Sequence, residues 1–229
     1  MRPARTAASV RRNGVTLGAP AFWPASALAA LCLVAAGPSH ADDPWGVLEE
    51  FRRSLEAQSP LSAGFVQTYV PYGFDPEDGE TERGDLAVDL PGCLRWDYSP
   101  PFEKAFLLCD RTVHHWNPGE SVGQRHDLSE QPAPGLDFFL LTTDDLRDRY
   151  EAETGPAPDD RVLVVLRPLE PSEDVALVQV VIDRGQQRLR ELTYYDAQRN
   201  ENRFVVGDYR SGAAPGRFEP PPGIVWEEP

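Results

Sequence analysis

Residues 84–98 read Gly-Asp-Leu-Ala-Val-Asp-Leu-Pro-Gly-Cys-Leu-Arg-Trp-Asp-Tyr, and apolar and polar side chains alternate on both sides of the Pro-Gly pair. Alternation with a period of two places every second side chain on the same face of a β-strand. One face therefore carries Leu86, Val88, Leu90, Leu94, Trp96 and Tyr98, while Asp and Arg side chains take the other. A sheet with one apolar and one charged face is typical of antiparallel sheets that are solvated on one side.

Outward from this hairpin, the chain contains one strong helix signal and many strand signals. Asp43 followed by Pro44 is a typical helix start, and apolar residues then recur at spacings of three and four. We predict a helix over residues 44–58 that ends before Pro60. Strand patterns, mostly separated by turn residues, cover 63–70, 82–90, 93–99, 104–109, 111–116, 122–127, 149–154, 161–167, 175–183, 188–195 and 201–209.

A dense apolar cluster in residues 134–141 interrupts the strand pattern. The segment Thr142-Thr143-Asp144-Asp145 follows it, and such residues end one helix or cap the next. We predict a short helix in this region. A long series of strands with isolated helices predicts a mainly β (α+β) fold, in which helices cover a curved antiparallel sheet.

Length and charge exclude several classes of protein. The chain has 229 residues and a formal net charge of −15, whereas a nucleic-acid-binding protein needs a basic surface. No apolar run reaches the roughly 18 residues that a membrane-spanning helix requires. The length fits one domain, and no internal repeat or linker divides it.

The first 41 residues have the pattern of a secretory signal. Four arginines precede the apolar stretch 25–36, and small residues lie at Ser39 and Ala41. We predict cleavage after Ala41, which leaves residues 42–229 as a single exported domain, soluble in the periplasm, with a net charge of −19. Cys32 lies inside the apolar stretch, so we do not expect it to carry a lipid. The sequence does not distinguish general secretion from twin-arginine export.

Three motifs could carry chemistry, and each has a simpler interpretation. Gly119-Glu120-Ser121-Val122-Gly123 matches a nucleophile elbow, but a strand follows it where an elbow requires a helix. His114 and His115 are adjacent and face opposite ways on a strand, so they cannot share one metal ion. The acidic residues 75–80 lack the spacing of a calcium-binding loop. We therefore expect no catalytic residue, no metal and no cofactor; a hydrolase that uses Ser121 remains the enzymatic alternative.

Cys93 and Cys109 flank the predicted hairpin that turns at residues 100–102. Pairing Trp96 with Phe106 and Leu94 with Leu108 also places the two cysteines directly opposite each other, at a separation that a disulfide can bridge. We predict a disulfide between them, and two reduced thiols on the outer face are the alternative.

Several short motifs, taken in order, resemble the lipoprotein carrier family LolA. They are Phe65-Val66-Gln67, Gly84-Asp85-Leu86-Ala87-Val88, Pro91-Gly92-Cys93-Leu94-Arg95-Trp96-Asp97-Tyr98-Ser99-Pro100-Pro101, Asp110-Arg111, His115-Trp116-Asn117-Pro118 and Phe218-Glu219-Pro220-Pro221-Pro222-Gly223. Each motif is weak alone, but together they follow the family's order over nearly the whole exported domain. The resemblance implies an unclosed β-barrel with a helical lid over a hydrophobic cavity.

The resemblance also implies a function and a set of partners. Members carry acylated lipoproteins from an inner-membrane ABC transporter to an outer-membrane acceptor, as monomers and without a nucleic acid. A sixteen-carbon chain costs on the order of 13 kcal/mol to expose to water, so such cargo needs an apolar shelter. The expected lipid-binding residues are Phe65, Leu86, Val88, Leu90, Leu94, Trp96, Tyr98, Phe106, Leu108, Phe138, Phe139 and Leu140.

Two departures from the family pattern leave alternatives open. Leu90 stands where the family usually has an arginine that hydrogen-bonds the lid, and Asp110-Arg111 lacks the usual glycine. A carrier of another lipid, such as a glycolipid or phospholipid, or a lipoprotein-sensing regulatory domain therefore remains possible. The apolar strand faces could also be an ordinary packed core.

Overall fold

The computed structural model describes residues 42–128, 138 and 141–228. Its helices are α1 (Pro44–Gln58) and α2 (Thr143–Arg147), with a short 3-10 turn at Pro76–Asp78. The strands are β1 (Leu61–Val70), β2 (Glu80–Asp89), β3 (Cys93–Tyr98), β4 (Ala105–Cys109), β5 (Thr112–Trp116), β6 (Val122–Asp127), β7 (Tyr150–Gly155), β8 (Arg161–Pro168), β9 (Leu177–Asp183), β10 (Arg188–Tyr195), β11 (Glu201–Val206), β12 (Arg210–Ser211) and β13 (Val225–Glu227).

The strands form one large unclosed sheet. Its order is β13-β6-β5-β4-β3-β2-β1-β11-β10-β9-β8-β7, and β12 pairs with the start of β1. Neighbours are antiparallel except β13, which runs parallel to β6. The eleven strands predicted from alternation are all present, with ends within three residues of the prediction. β12 and β13 were not predicted because two or three residues are too few to show alternation.

Antiparallel strands place their turns alternately at two edges of the sheet. We call one the lid edge; it contains the turns around residues 59–60, 90–92, 110–111 and 184–187. We call the other the far edge; it contains the turns at 71–79, 99–104, 117–121, 169–176 and 196–200.

Helix α1 lies against the concave face near the lid edge and has the predicted bounds. Asp43 caps it, since its carboxylate accepts hydrogen bonds from the backbone N–H groups of Trp45 and Gly46. Leu48, Phe51 and Leu55 are buried, and the helix contacts β7, β10 and α2. The predicted amphipathic helix therefore buries its apolar face against the sheet.

Helix α2 begins where the sequence predicted a cap. The Thr142 hydroxyl accepts a hydrogen bond from the Asp145 N–H, and the Asp145 carboxylate accepts one from the Thr142 N–H. This reciprocal capping box fixes the start of a very short helix that packs on α1 and β7. The helix predicted within residues 134–141 lies mostly outside the described residues, as does the predicted leader, residues 1–41.

The main hydrophobic core lies between the concave face and α1, and a smaller one lies on the convex face. In the smaller core, Ala105, Leu107 and Trp116 are covered by three apolar residues from the C-terminal segment, Phe218, Ile224 and Trp226. The sheet therefore has apolar side chains on both faces around β4 and β5. None of the helices within the described residues is long and apolar enough to cross a membrane.

Candidate functional site

An aromatic cluster occupies the middle of the concave face. The ring of Phe65 on β1 lies edge-on to Trp96 and Tyr98 on β3, with ring centroids 4.8 Å and 5.0 Å away. Phe204 on β11 lies 5.2 Å from Trp96, so the cluster crosses from β3 to β11. Alternation on each strand turns these side chains inward, and the curvature of the sheet brings them into contact.

The described members of the expected lipid-binding set all lie in or against this core. Phe65, Leu86, Val88, Leu90, Leu94, Trp96, Tyr98, Leu108 and Phe138 are at most 8% exposed. Phe106 is half-buried, packs against the same core and stacks on His115 at 4.4 Å. Phe139 and Leu140 lie outside the described residues. The structure therefore places the described members of the expected lipid-binding set together on the concave face.

A small apolar cavity separates α1 from the sheet and from the segment before α2. Its lining includes Leu48, Phe51 and Leu55 of α1, Leu90 at the lid edge, and Leu141 and Leu146 beyond it. Its volume is about 10 Å³, which is about the space of one water molecule. Among the described residues that line it, α1 therefore packs on the concave face with little space between them.

Arg52 of α1 connects the helix to the segment that precedes α2. Its Nη1 donates a hydrogen bond to the backbone carbonyl of Leu141, and its Nε pairs with Glu56 at 2.9 Å. Leu90 lines the same cavity as Arg52. A cationic hydrogen bond therefore joins α1 to the backbone of the segment that precedes α2.

Both ends of α1 are also tied to the sheet. At its N-terminal end the Asp42 carboxylate pairs with Arg184, and the Asp42 carbonyl accepts a hydrogen bond from the Thr154 hydroxyl. The Arg184 guanidinium holds the pKa of Asp42 below its usual value. At the C-terminal end the buried Arg188 donates to the side chain of Gln58. Polar contacts therefore hold the helix at its ends, and apolar contacts hold its middle.

A polar belt crosses the concave face near the far edge; we define it as Tyr98, Gln67, Asn202 and Tyr194. The Tyr98 hydroxyl donates to Gln67 Oε1 at 2.5 Å, Gln67 Nε2 donates to Asn202 Oδ1 at 2.8 Å, and Asn202 Nδ2 donates to the Tyr194 hydroxyl at 2.7 Å. Burial raises the pKa of Tyr98 far above its usual value and that of Tyr194 to about 12, so both remain neutral. The belt links β3, β1, β11 and β10 by hydrogen bonds.

The two adjacent histidines point to opposite faces, as alternation predicted. His115 stacks on Phe106 inside, whereas His114 lies edge-on to Trp226 outside, with ring centroids 4.7 Å apart. Burial is the main cause that lowers the pKa of each ring. Among the residues that the structure describes, no group of three or more His, Cys, Asp or Glu side chains could hold a metal ion.

Ser121 lies in the turn between β5 and β6, and β6 follows it directly. A nucleophile elbow needs a sharp turn from a strand into a helix, because that geometry exposes the serine. The turn here leads into β6 instead, so the structure does not form the strand-to-helix turn that this motif requires.

The predicted register around the cysteines is the observed one. Trp96 pairs with Phe106, Leu94 with Leu108 and Cys93 with Cys109. The two cysteines are joined by a disulfide, with Cα atoms 4.3 Å apart. The bond links adjacent strands on the convex side, next to the C-terminal segment that covers Leu107.

Sequence reasoning missed Arg52 and three of the four belt residues. Arg52 lies among the charged residues of the helical pattern, which predicts that it faces solvent. Asn202 and Tyr194 lie in strands whose inward face the alternation does not mark clearly. Gln67 was noted only as part of the Phe-x-Gln motif. Its position two residues after Phe65, on the same face of β1, was the available signal.

One family model matches the chain, and solved structures resemble it. The family model described as outer membrane lipoprotein carrier protein LolA matches residues 57–218. An uncharacterized conserved protein from Thermus thermophilus is similar with 11% identity and a TM-score of 0.51, over 80% of this chain and 98% of that one. A LolA superfamily protein from Nitrosomonas europaea is similar with 11% identity and a TM-score of 0.42, over 76% and 96%. A search of curated proteins finds no match.

The match covers most of the 229-residue chain, from the end of α1 to the C-terminal segment. The fold and its concave apolar face define a class of proteins with an unclosed, helix-covered β-sheet. The chain belongs to the LolA family of outer-membrane lipoprotein carrier proteins.

Proposed function

We propose that this protein is a non-catalytic carrier that shelters the acyl chains of lipoproteins on its concave face. In this proposal it is exported to the periplasm, takes cargo from an inner-membrane ABC transporter and delivers it to an outer-membrane acceptor. The observation that supports the proposal best is the continuous apolar and aromatic surface from Leu90 to Trp96, covered by a helix rather than by a second sheet.

The cavity under α1 has space for about one water molecule, so an acyl chain must replace α1 on the concave face. Exposing the side chains of Leu48, Phe51 and Leu55 costs roughly 1.5–3 kcal/mol each, or about 5–9 kcal/mol together. Burying a sixteen-carbon chain gains on the order of 13 kcal/mol. An acyl chain can therefore offset the loss of the apolar contacts that hold α1, whereas a shorter chain gains less.

Quenching of tryptophan fluorescence by brominated acyl chains tests this site directly. Trp96 lies on the concave face, and Trp226 lies on the convex face in contact with Trp116. We expect a brominated fatty acid to quench the wild-type protein and the Trp226→Phe variant, and to quench the Trp96→Phe variant much less. Equal quenching in the two variants would place the ligand elsewhere.

The identity of the cargo needs a separate measurement. The protein is isolated from periplasm, and the molecules that co-purify with it are identified by mass spectrometry. Triacylated or diacylated proteins would support the lipoprotein carrier, while phospholipid or glycolipid without any lipoprotein would support the carrier of another lipid. Recovery of one signalling protein without lipid would favour the sensing role.

A further inference from the structure

We propose that the polar belt is the floor of the acyl-binding surface and limits the length of the chain that the protein shelters. This inference rests on the proposed carrier function and concerns the same concave face. Its basis is the position of the belt: both ends of α1 are tied to residues near the lid edge, and the belt crosses the concave face near the far edge.

The cavity under α1 and the polar belt bound the apolar surface at two ends of a single strand pair, β2 and β3. Leu90 lines the cavity beneath α1, and Gly84, six residues earlier on the same inward face of β2, pairs with Tyr98 of the belt. Six strand residues span about 20 Å at roughly 3.3 Å per residue. The side chains between them, Leu86, Val88, Leu94 and Trp96, are apolar and buried.

A saturated carbon chain has a comparable length. With bonds of about 1.5 Å and angles near 111°, it advances roughly 1.25 Å per carbon. A chain of about sixteen carbons therefore fills the distance between the cavity under α1 and the belt. A longer chain must either break the belt or leave carbons in water.

The belt resists an apolar chain because its members already bond to one another. Three hydrogen bonds of 2.5–2.8 Å connect four buried or half-buried side chains on four strands. A methylene group inserted among them offers no donor or acceptor, so the separated groups would remain unpaired in a buried place. Beyond Tyr98, the ion pair between Lys104 and Glu82 continues the polar surface, with Lys104 4.4 Å above the Tyr98 ring.

The test measures the affinity of saturated fatty acids with ten to twenty carbons by displacement of a fluorescent acyl probe. For the wild-type protein we expect affinity to rise about fourfold per methylene and to become constant near sixteen carbons. In the variant Gln67→Leu/Tyr98→Phe/Tyr194→Phe/Asn202→Leu, which makes the belt apolar, we expect affinity to keep rising to eighteen carbons or more. The control variant Gln179→Leu/Tyr195→Phe makes the same types of change on the convex face and should keep the wild-type profile.

The outcomes separate the two proposals. If the wild-type protein binds no acid of any length, the carrier function fails and this inference fails with it. Two outcomes would leave the carrier function standing and contradict the proposal that the belt limits chain length. In the first, the wild-type affinity rises evenly from sixteen to twenty carbons. In the second, the belt variant folds and keeps the wild-type plateau. Circular dichroism establishes folding; if the quadruple variant does not fold, the wild-type profile and the single variant Tyr98→Phe decide.

Discussion

Gly84 shows how one residue determines the packing of the concave face. It lies on the inward side of β2 between Phe65 on β1 and Tyr98 on β3. A Cβ atom at this position would lie 2.1 Å from the carbonyl oxygen of Asp97 and 2.7 Å from the Phe65 ring. The absence of a side chain therefore lets the aromatic ring lie directly on the strand.

Gly84→Ala should destabilise the protein by about 2–3 kcal/mol, because backbone and ring must both move. Chemical denaturation gives the free energy of unfolding. Gly64→Ala is the matched control on the neighbouring strand, where the nearest atom to a new Cβ is 3.8 Å away. The free energy of unfolding of Gly64→Ala should be unchanged or higher than that of the wild type by less than about 1 kcal/mol. Equal losses in the two variants would contradict this explanation.

Arg52 acts at the residue scale as a link between α1 and the segment before α2. Arg52→Met keeps the apolar stem but removes the hydrogen bond to the Leu141 carbonyl. We expect the variant to bind a fluorescent acyl probe several-fold faster in stopped-flow measurements, because the helix separates more easily. Arg53→Met removes an exposed ion pair on the same helix and should leave the rate unchanged. A rate unchanged in Arg52→Met would show that this link does not control opening.

At the scale of elements, His114 on β5 is one of the residues that contact the C-terminal segment, through the ring of Trp226. Burial, and secondarily Arg125, lowers the pKa of His114 below its usual value. The unfolded chain therefore binds a proton at a higher pH than the folded chain. The stability that the neutral His114 side chain gives the folded state is fully present well above the unfolded pKa, near 6.5. It decreases as the pH falls through that value towards the folded pKa, because the unfolded chain takes up the proton first.

His114→Phe keeps the ring but cannot bind a proton, so the loss of stability between pH 7.5 and pH 5.5 should be smaller than in the wild type. Thermal unfolding followed by tryptophan fluorescence at both pH values measures the difference. His115→Phe, on the opposite face of the same strand, should act in the same direction without changing the environment of Trp226. A slope as steep as that of the wild type in the His114→Phe variant would contradict the prediction.

For the whole molecule, the structure predicts two levels of stability. The sheet from β8 to β5 is continuously hydrogen-bonded and encloses the main core. Helix α1 depends on one apolar stripe and a few polar contacts at its ends. In native-state hydrogen exchange, the amides of α1 should exchange through local opening, while central amides of β1, β2 and β10 exchange only through global unfolding. Equal protection in α1 and β1 would mean that the helix does not open independently.

The sequence predicted much of the sheet but less of the site. Strict alternation around residues 84–98 gave the inward face, and the pairing of Trp96 with Phe106 gave the register of the cysteines. The belt was not predicted, because Gln67 and Asn202 are 135 positions apart and meet only where β11 pairs with β1. Arg52 was not recognised because a helical arginine resembles a solvent-facing one until the segment that it bonds is located.

By itself, the sequence determined which side chains face inward, since strand periodicity is a local property that neighbouring residues impose on each other. It also determined the start of α1, and it contains the capping residues Thr142 and Asp145 with which α2 begins, because caps act over three or four residues. The tertiary structure alone decided that α1 packs on the concave face around a cavity of about 10 Å³ lined by described residues, and that a polar belt bounds the apolar face. Both features depend on contacts between strands and helices far apart in the chain, where geometry and not local pattern decides which groups meet.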